Sequence, residues 1–154
     1  MRIALGLLTF LILTIACGDK HEDGPTAIYY GEDICERCKM IISEKKFVAQ
    51  YKSSDGKTVK FDDIGCMIHY MDGEKPEHIE SIYVMDYDSG EWTDAESGYF
   101  IWTETVNTPM GYGILSFHDK KIAQEVAARE NGKYLGKLSA ASELLKKNSK
   151  NKSD

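Results

Sequence analysis

The sequence lacks a surplus of positive charge. It carries 19 Lys and Arg against 25 Asp and Glu, a net charge of −6. Affinity for nucleic acid comes mostly from phosphate neutralisation by Lys and Arg, so a nucleic-acid partner is excluded. It also lacks a hydrophobic run long enough for a stable membrane span. The apolar stretch from Ile3 to Ile15, broken by Gly6, Thr9 and Thr14, would reach only about 20 Å as a helix. No aromatic-Cys-Gly-Pro-Cys pattern is present, and Cys35-x-x-Cys38 precedes the first strong strand. A thioredoxin-like dithiol follows a strand in a βαβ setting, so this pattern weighs against a thiol-disulfide oxidoreductase without removing it. Aspartates are numerous (Asp62, Asp63, Asp86, Asp88, Asp94), yet no pair has a spacing that implies acid/base work.

What is present begins with an address. Arg2, the short apolar run and the small residues after it read as an export signal. The signal ends in "LTIACGDK", which is similar to a bacterial lipobox, with Ala16 before the cut and Cys17 as the lipidated first residue. More than one acyl chain on Cys17 would anchor the protein stably to a membrane. Removing residues 1–16 takes away one basic residue and no acid, leaving the remainder more negative still. The expected organisation is a lipoprotein signal peptide over 1–16 and a flexible tether over 17–30. A first folded unit over 31–88 and a second over 89–137 follow, then a basic disordered tail over 138–154.

The folded part reads as an internal repeat. "KFVAQYKSSDGKTVKFDD" alternates apolar and polar residues around a Gly-containing turn and predicts a β-hairpin. A short helix follows, capped by Asp62 or Asp63 and stopped by Gly73, and then "HIESIYVMDY" predicts a strand. The second half repeats the plan. "GYFIWTET" and "GYGILSF" are strands, "HDKKIAQEVAARENG" is a helix, and "KYLGKLS" is a short third strand. Phe61-Asp62-Asp63 and Phe117-His118-Asp119 mark equivalent strand-to-helix corners. Each half is too small for a stable core of its own. The fold class is therefore α+β, with two similar ββαβ units packed together. The stretch "DSGEWTDAES" joins them, and Trp92 and Trp102 serve packing.

Soft ligand atoms gather in three places: Cys35, Cys38 and Met40; Cys66 and His69 with Met67 and Met71; and Met110 in "TPMGYG". Met85 belongs to the core, and His21, His78 and His118 are solvated or capping. Structural zinc would need four closed ligands, and Cys35, Cys38, Cys66 and His69 match that number. A disulfide among Cys35, Cys38 and Cys66 would leave one thiol over. Cu(I) prefers thiolate and thioether and accepts two to four ligands, which gives the methionines a role. Gly111 and Gly113 let the third segment turn tightly. Helical phase leaves Cys66 open. It faces the core if the helix buries Tyr70 and Met71, and solvent if the buried stripe is Ile64, Met67, Ile68 and Met71.

These segments together, C-x-x-C-x-M, F-D-D-I-G-C-M, V-x-D-Y-x-x-G-x-W and T-P-M-G-Y-G over residues 31–132, resemble the NosL family, the accessory lipoproteins of nitrous oxide reductase maturation. The resemblance implies a periplasm-facing lipoprotein, not an enzyme, that binds one Cu(I) and hands it on. It implies a fold akin to the mercury-carbon lyase. Implied partners are the maturation machinery or the client apo-enzyme, and the membrane through the lipid anchor. It points first to Cys38 and Met40 as copper ligands, then to Cys35, Cys66, His69 and Met110. Members commonly carry glycine before that methionine, where this chain has Lys39. A lyase would need two thiolates and an acid at one site, and nothing in the spacing of Cys35, Cys38 and Asp62 or Asp63 supports that.

Overall fold

A computed structural model describes residues 24–151. The signal segment, Cys17 and His21 lie outside the described residues. Two antiparallel sheets carry the fold. The first half gives strands β1 (Ala49–Ser53), β2 (Thr58–Phe61), helix α1 (Ile64–Glu74) and strand β3 (Ile79–Met85). Strand β4 (Trp92–Asp94) follows, and the second half gives β5 (Tyr99–Trp102), β6 (Ile114–Phe117), α2 (Lys120–Arg129), β7 (Lys133–Gly136) and α3 (Leu138–Asn151).

The repeat is visible in the strand order. Sheet one runs β2-β1-β3-β4 and sheet two runs β6-β5-β7, so the first strand of each half is central and its partners flank it identically. Both helices start the same way. Asp63 caps α1 by accepting from the Gly65 N–H, and Asp119 caps α2 by accepting from the N–H groups of Lys121 and Ile122. These side chains satisfy amide donors that the first helical turn leaves unpaired. Contrary to expectation, Gly73 lies inside α1, and the helix ends at Lys75 in a left-handed conformation, φ 45°.

The sheets meet at one joint. Asp86 bridges Ser116 in parallel, and the Ser116 hydroxyl donates to the Met85 carbonyl at 2.5 Å. The main core gathers Val48, Phe61, Ile64 and Met67 from the first half with Phe100 and Ile114 from the second. Ile101, Leu115 and Phe117 face the other way and pack with Ala123, Val126 and Ala127 of α2. Alternation along β5 thus feeds two cores, one on each face of sheet two.

Three expectations are corrected. Residues 138–151 are helical instead of disordered, because Ala141 and Leu145 fall on one face at i, i+4 and are buried. Lys146 then reaches Asp72 of α1 at 2.7 Å. The joining stretch contains β4, which pairs with β3, so sheet one extends past residue 88. The end of the tether is docked: the Thr26 amide and hydroxyl both donate to Gln50 Oε1, and Gln50 Nε2 returns a bond to the Thr26 carbonyl. Gln50 is wholly buried, and this exchange supplies the partners that a buried amide requires.

Candidate metal centre

Residues 33–42 form a short closed loop ahead of the first sheet. Ile34 bridges Ile41, the Cys35 N–H donates to the Met40 carbonyl at 2.8 Å, and the Lys39 N–H donates to the Cys35 carbonyl at 3.0 Å. Closing this turn puts Lys39 at φ 62°, a left-handed conformation that glycine adopts more readily. The Glu36 N–H donates to the Lys60 carbonyl at 2.9 Å, which pins the loop beside β2. Asp33 adds an ion pair with Lys60 at 2.7 Å.

That anchoring carries Cys35 and Cys38 to the corner between β2 and α1, where Asp62 and Cys66 wait. The sulfurs of Cys35, Cys38 and Cys66 and a carboxylate oxygen of Asp62 all lie within 4.8 Å of one another. Cys35 and Cys66 are fully buried, Asp62 is 3% exposed, and Cys38 is half-buried. All three cysteines are free thiols. Cys38 Sγ donates to Asp62 Oδ2 at 3.5 Å, whereas Asp62 Oδ1 has no partner among the described residues.

The thiols are not equivalent. A hydrogen bond from Cys66 lowers the Cys35 thiol, so Cys35 is the sulfur of the three that gives up its proton most readily. Cys66, as the donor and in a buried setting, is pushed well up. Burial lifts Cys38 to about 11. Three sulfurs and a carboxylate oxygen this close together could hold a thiophilic cation, which would displace the thiol protons as it bound.

A second loop covers the corner. Asp63 uses Oδ1 to cap α1 and Oδ2 to accept from the Met110 N–H at 3.1 Å. Gly111 and Gly113 take positive φ, 69° and 66°, and a side chain on Gly113 would strike the Thr103 carbonyl at 2.1 Å. Tyr112 lies over Gly65, its hydroxyl accepts from Arg37 Nη1 at 2.9 Å, and its ring meets that of His69 at a 43° tilt with centroids 4.9 Å apart. Arg37 thus links the cysteine loop to the glycine loop.

The structure brings together Cys35, Cys38 and Cys66 from the sequence-predicted set. His69 stands one turn further along α1, outside the cluster, where burial lowers its basicity. Met40 sits at the loop tip and is 53% exposed. Met110 packs, half-buried, against the core that contains Cys35 and Cys66, as does Cys38. Cys66 is both a core side chain and a member of the cluster. Sequence reasoning left Asp62 out of the ligand set, naming it only as a helix cap or as the acid of an unsupported lyase site, whereas the structure puts it in the cluster. Its signal was the doubled aspartate after Phe61, of which only one can cap the helix.

Comparison with known proteins agrees with this picture. Residues 27–144 match the family model described as NosL. Among solved structures, the chain is similar to the crystal structure of the copper chaperone NosL from Shewanella denitrificans. The TM-score is 0.63 at 21% identity, over 71% of this chain and 90% of that one. No curated protein matches the chain.

Proposed function

The chain belongs to the NosL family, and from that premise we propose that it is a periplasm-facing lipoprotein that binds one Cu(I) and delivers it to a copper enzyme under assembly. Nitrous oxide reductase is the client that the family name suggests. The observation that carries the reading is the convergence of three free thiols from two separate segments within 4.8 Å. Thiolates are the donors that Cu(I) prefers, and its tolerance of low coordination lets a carrier exchange it.

Cys38 is half-buried and Met40 is exposed, whereas Cys35 and Cys66 are fully buried. This polarity favours a handover in which the half-exposed sulfurs meet the acceptor first. Met110 is the thioether of the covering loop. The protein acts by binding and transfer, not by turnover, and Cys17 would hold it at the membrane surface. No helix among the described residues is long and apolar enough to cross a membrane.

Anaerobic Cu(I) titration against a competing chelator tests the reading. A one-to-one complex is expected, weakened in Cys38→Ser and to a lesser degree in Met40→Leu. Full uptake after replacement of both Cys35 and Cys38 would refute it. Asp62 beside Cys35 and Cys38 also favours a second reading, the two-thiol-and-acid set of a mercury-carbon lyase. Release of methane from methylmercury would reveal that activity.

A further inference from the structure

Among the described residues, every exposed large hydrophobic side chain lies between positions 29 and 41: Tyr29, Tyr30, Ile34, Met40 and Ile41, from 40% to 63% exposed. Apolar side chains scattered singly over a surface need no explanation, but a group of them in one short loop marks a contact surface. Backbone bonds hold the group together. The Cys35 N–H donates to the Met40 carbonyl and the Ile42 N–H to the Asp33 carbonyl, both at 2.8 Å. Ile34 and Ile41 are therefore the non-hydrogen-bonded pair of a small ribbon, the arrangement that brings facing side chains closest. Their neighbours Cys35 and Ile42 turn inward and are wholly buried, so the ribbon presents the two isoleucines outward. The Gly31 N–H donates to the Ile42 carbonyl at 2.9 Å, which sets the turn that carries Tyr29 and Tyr30 beside the pair.

Two observations say what covers this face. The first is its place in the chain. Thr26 is docked on Gln50, and Cys17 precedes it by nine residues. A chain of that length extends to at most about 30 Å. An acyl anchor at Cys17 would keep the patch within reach of the bilayer and raise the effective concentration of that surface. The second is charge. The chain as a whole carries −6, yet around the patch Glu32, Asp33 and Glu36 are matched by Arg37, Lys39 and Lys60. Lys39 pairs with Glu36 at 3.0 Å and Lys60 with Asp33 at 2.7 Å. A headgroup layer, zwitterionic or negative, meets no repulsion there. Tyrosine suits that layer, because its ring is apolar and its tip is polar. We infer that this face is a membrane-contact surface. Tyr29, Tyr30, Ile34 and Ile41 seat at the headgroup level and fix the orientation of the fold on the bilayer. The inference rests on the lipid anchor at Cys17 proposed above, but not on copper.

The test uses the full acylated chain in nanodiscs of phosphatidylethanolamine and phosphatidylglycerol, with isoleucine methyl groups labelled for NMR. Lipid that carries a spin label at its headgroup should broaden the methyl signals of Ile34 and Ile41. The signal of Ile122, packed in the α2 core, should stay sharp. The double variant Tyr29→Ser, Tyr30→Ser should lose the extra broadening at both isoleucines while remaining on the nanodisc. Mass spectrometry of the same sample reads the acylation of Cys17. An acylated chain whose Ile34 and Ile41 signals are no broader than that of Ile122 would overturn the inference and leave the anchor standing. The patch would then belong to a protein partner. Undiminished broadening in the double variant would overturn it as well. A chain without acyl groups on Cys17 would refute the anchor, and this contact with it. The comparison of Ile34 and Ile41 with Ile122 needs no variant, so it decides the matter even if the double variant fails to fold.

Discussion

Tyr112 rests on Gly65 so closely that a Cβ at residue 65 would stand 2.3 Å from the ring. The glycine loop is seated on α1 because α1 has no side chain at that point. Gly65→Ala must therefore push the ring away or shift the helix, at a cost of about 1–3 kcal/mol. Urea denaturation should show that loss. Chelator competition should show faster release of Cu(I) as the cover loosens.

The Arg37–Tyr112 hydrogen bond ties the two loops at an exposed position. Tyr112→Phe removes it while keeping the ring on Gly65. Stability should change by less than about 1.5 kcal/mol. The expected signature is kinetic: stopped-flow transfer of Cu(I) to a chelator speeds up more than the equilibrium affinity falls.

Lys39 carries the left-handed turn between Cys38 and Met40. A non-glycine residue pays roughly 1–2 kcal/mol there, while glycine loses about 0.5–1 kcal/mol more chain entropy on folding. Lys39→Gly also gives up the exposed pair with Glu36, which contributes little. The variant should be as stable as the parent or up to about 1 kcal/mol more so. A loss beyond that range in thermal denaturation would show that the lysine side chain holds the turn.

Much of this fold is legible locally. The hairpin, both helix caps and the repeat are written in short windows: alternation around "SSDGK", and Asp63 and Asp119 before their helices. Three things are not. Strand β4 is three residues long between turns and gains its pairing only from β3. Helix α3 is masked by its basic composition, although Leu138, Ala141 and Leu145 repeat at helical spacing. The fourth member of the cluster depends on the Glu36–Lys60 backbone bond, which spans 24 residues of chain and leaves no local pattern. His69 shows the converse error, since the right spacing from Cys66 placed it against Tyr112.

Helix α3 offers a direct check of its packing. Leu145 is 4% exposed between the second sheet and α1, so Leu145→Ala should cost about 2–5 kcal/mol in urea denaturation. Lys146→Ala breaks an exposed ion pair with Asp72 and should cost less than about 1 kcal/mol. Equal effects would mean that charge, not burial, holds the helix.

The Asp86–His118 pair gives the stability a pH signature. Burial alone would raise Asp86, but the N–H groups of Ser89 and His118 and the imidazole outweigh it and hold the carboxyl low. The same contact, 2.6 Å from Nδ1 to Oδ2, raises His118. The histidine contribution is complete below the ordinary value of about 6.5 and is lost as pH rises through the raised one. The aspartate contribution holds above the ordinary carboxylate range and fades as pH falls through the lowered value. His118→Ala should therefore destabilise more at about pH 5.5 than at about pH 9. The difference should stay below about 1 kcal/mol because the imidazole is 58% exposed.

The contact of Asp86 with Ser116 has a wider consequence. It is the seam that joins the two repeats: the residue after β3 of one half finds its neighbour in β6 of the other. Heating should give a single calorimetric peak, and neither copy expressed alone should hold its shape. The two halves divide the labour: the first carries the cysteine cluster, and the second braces it at this seam and supplies the loop that lies over α1.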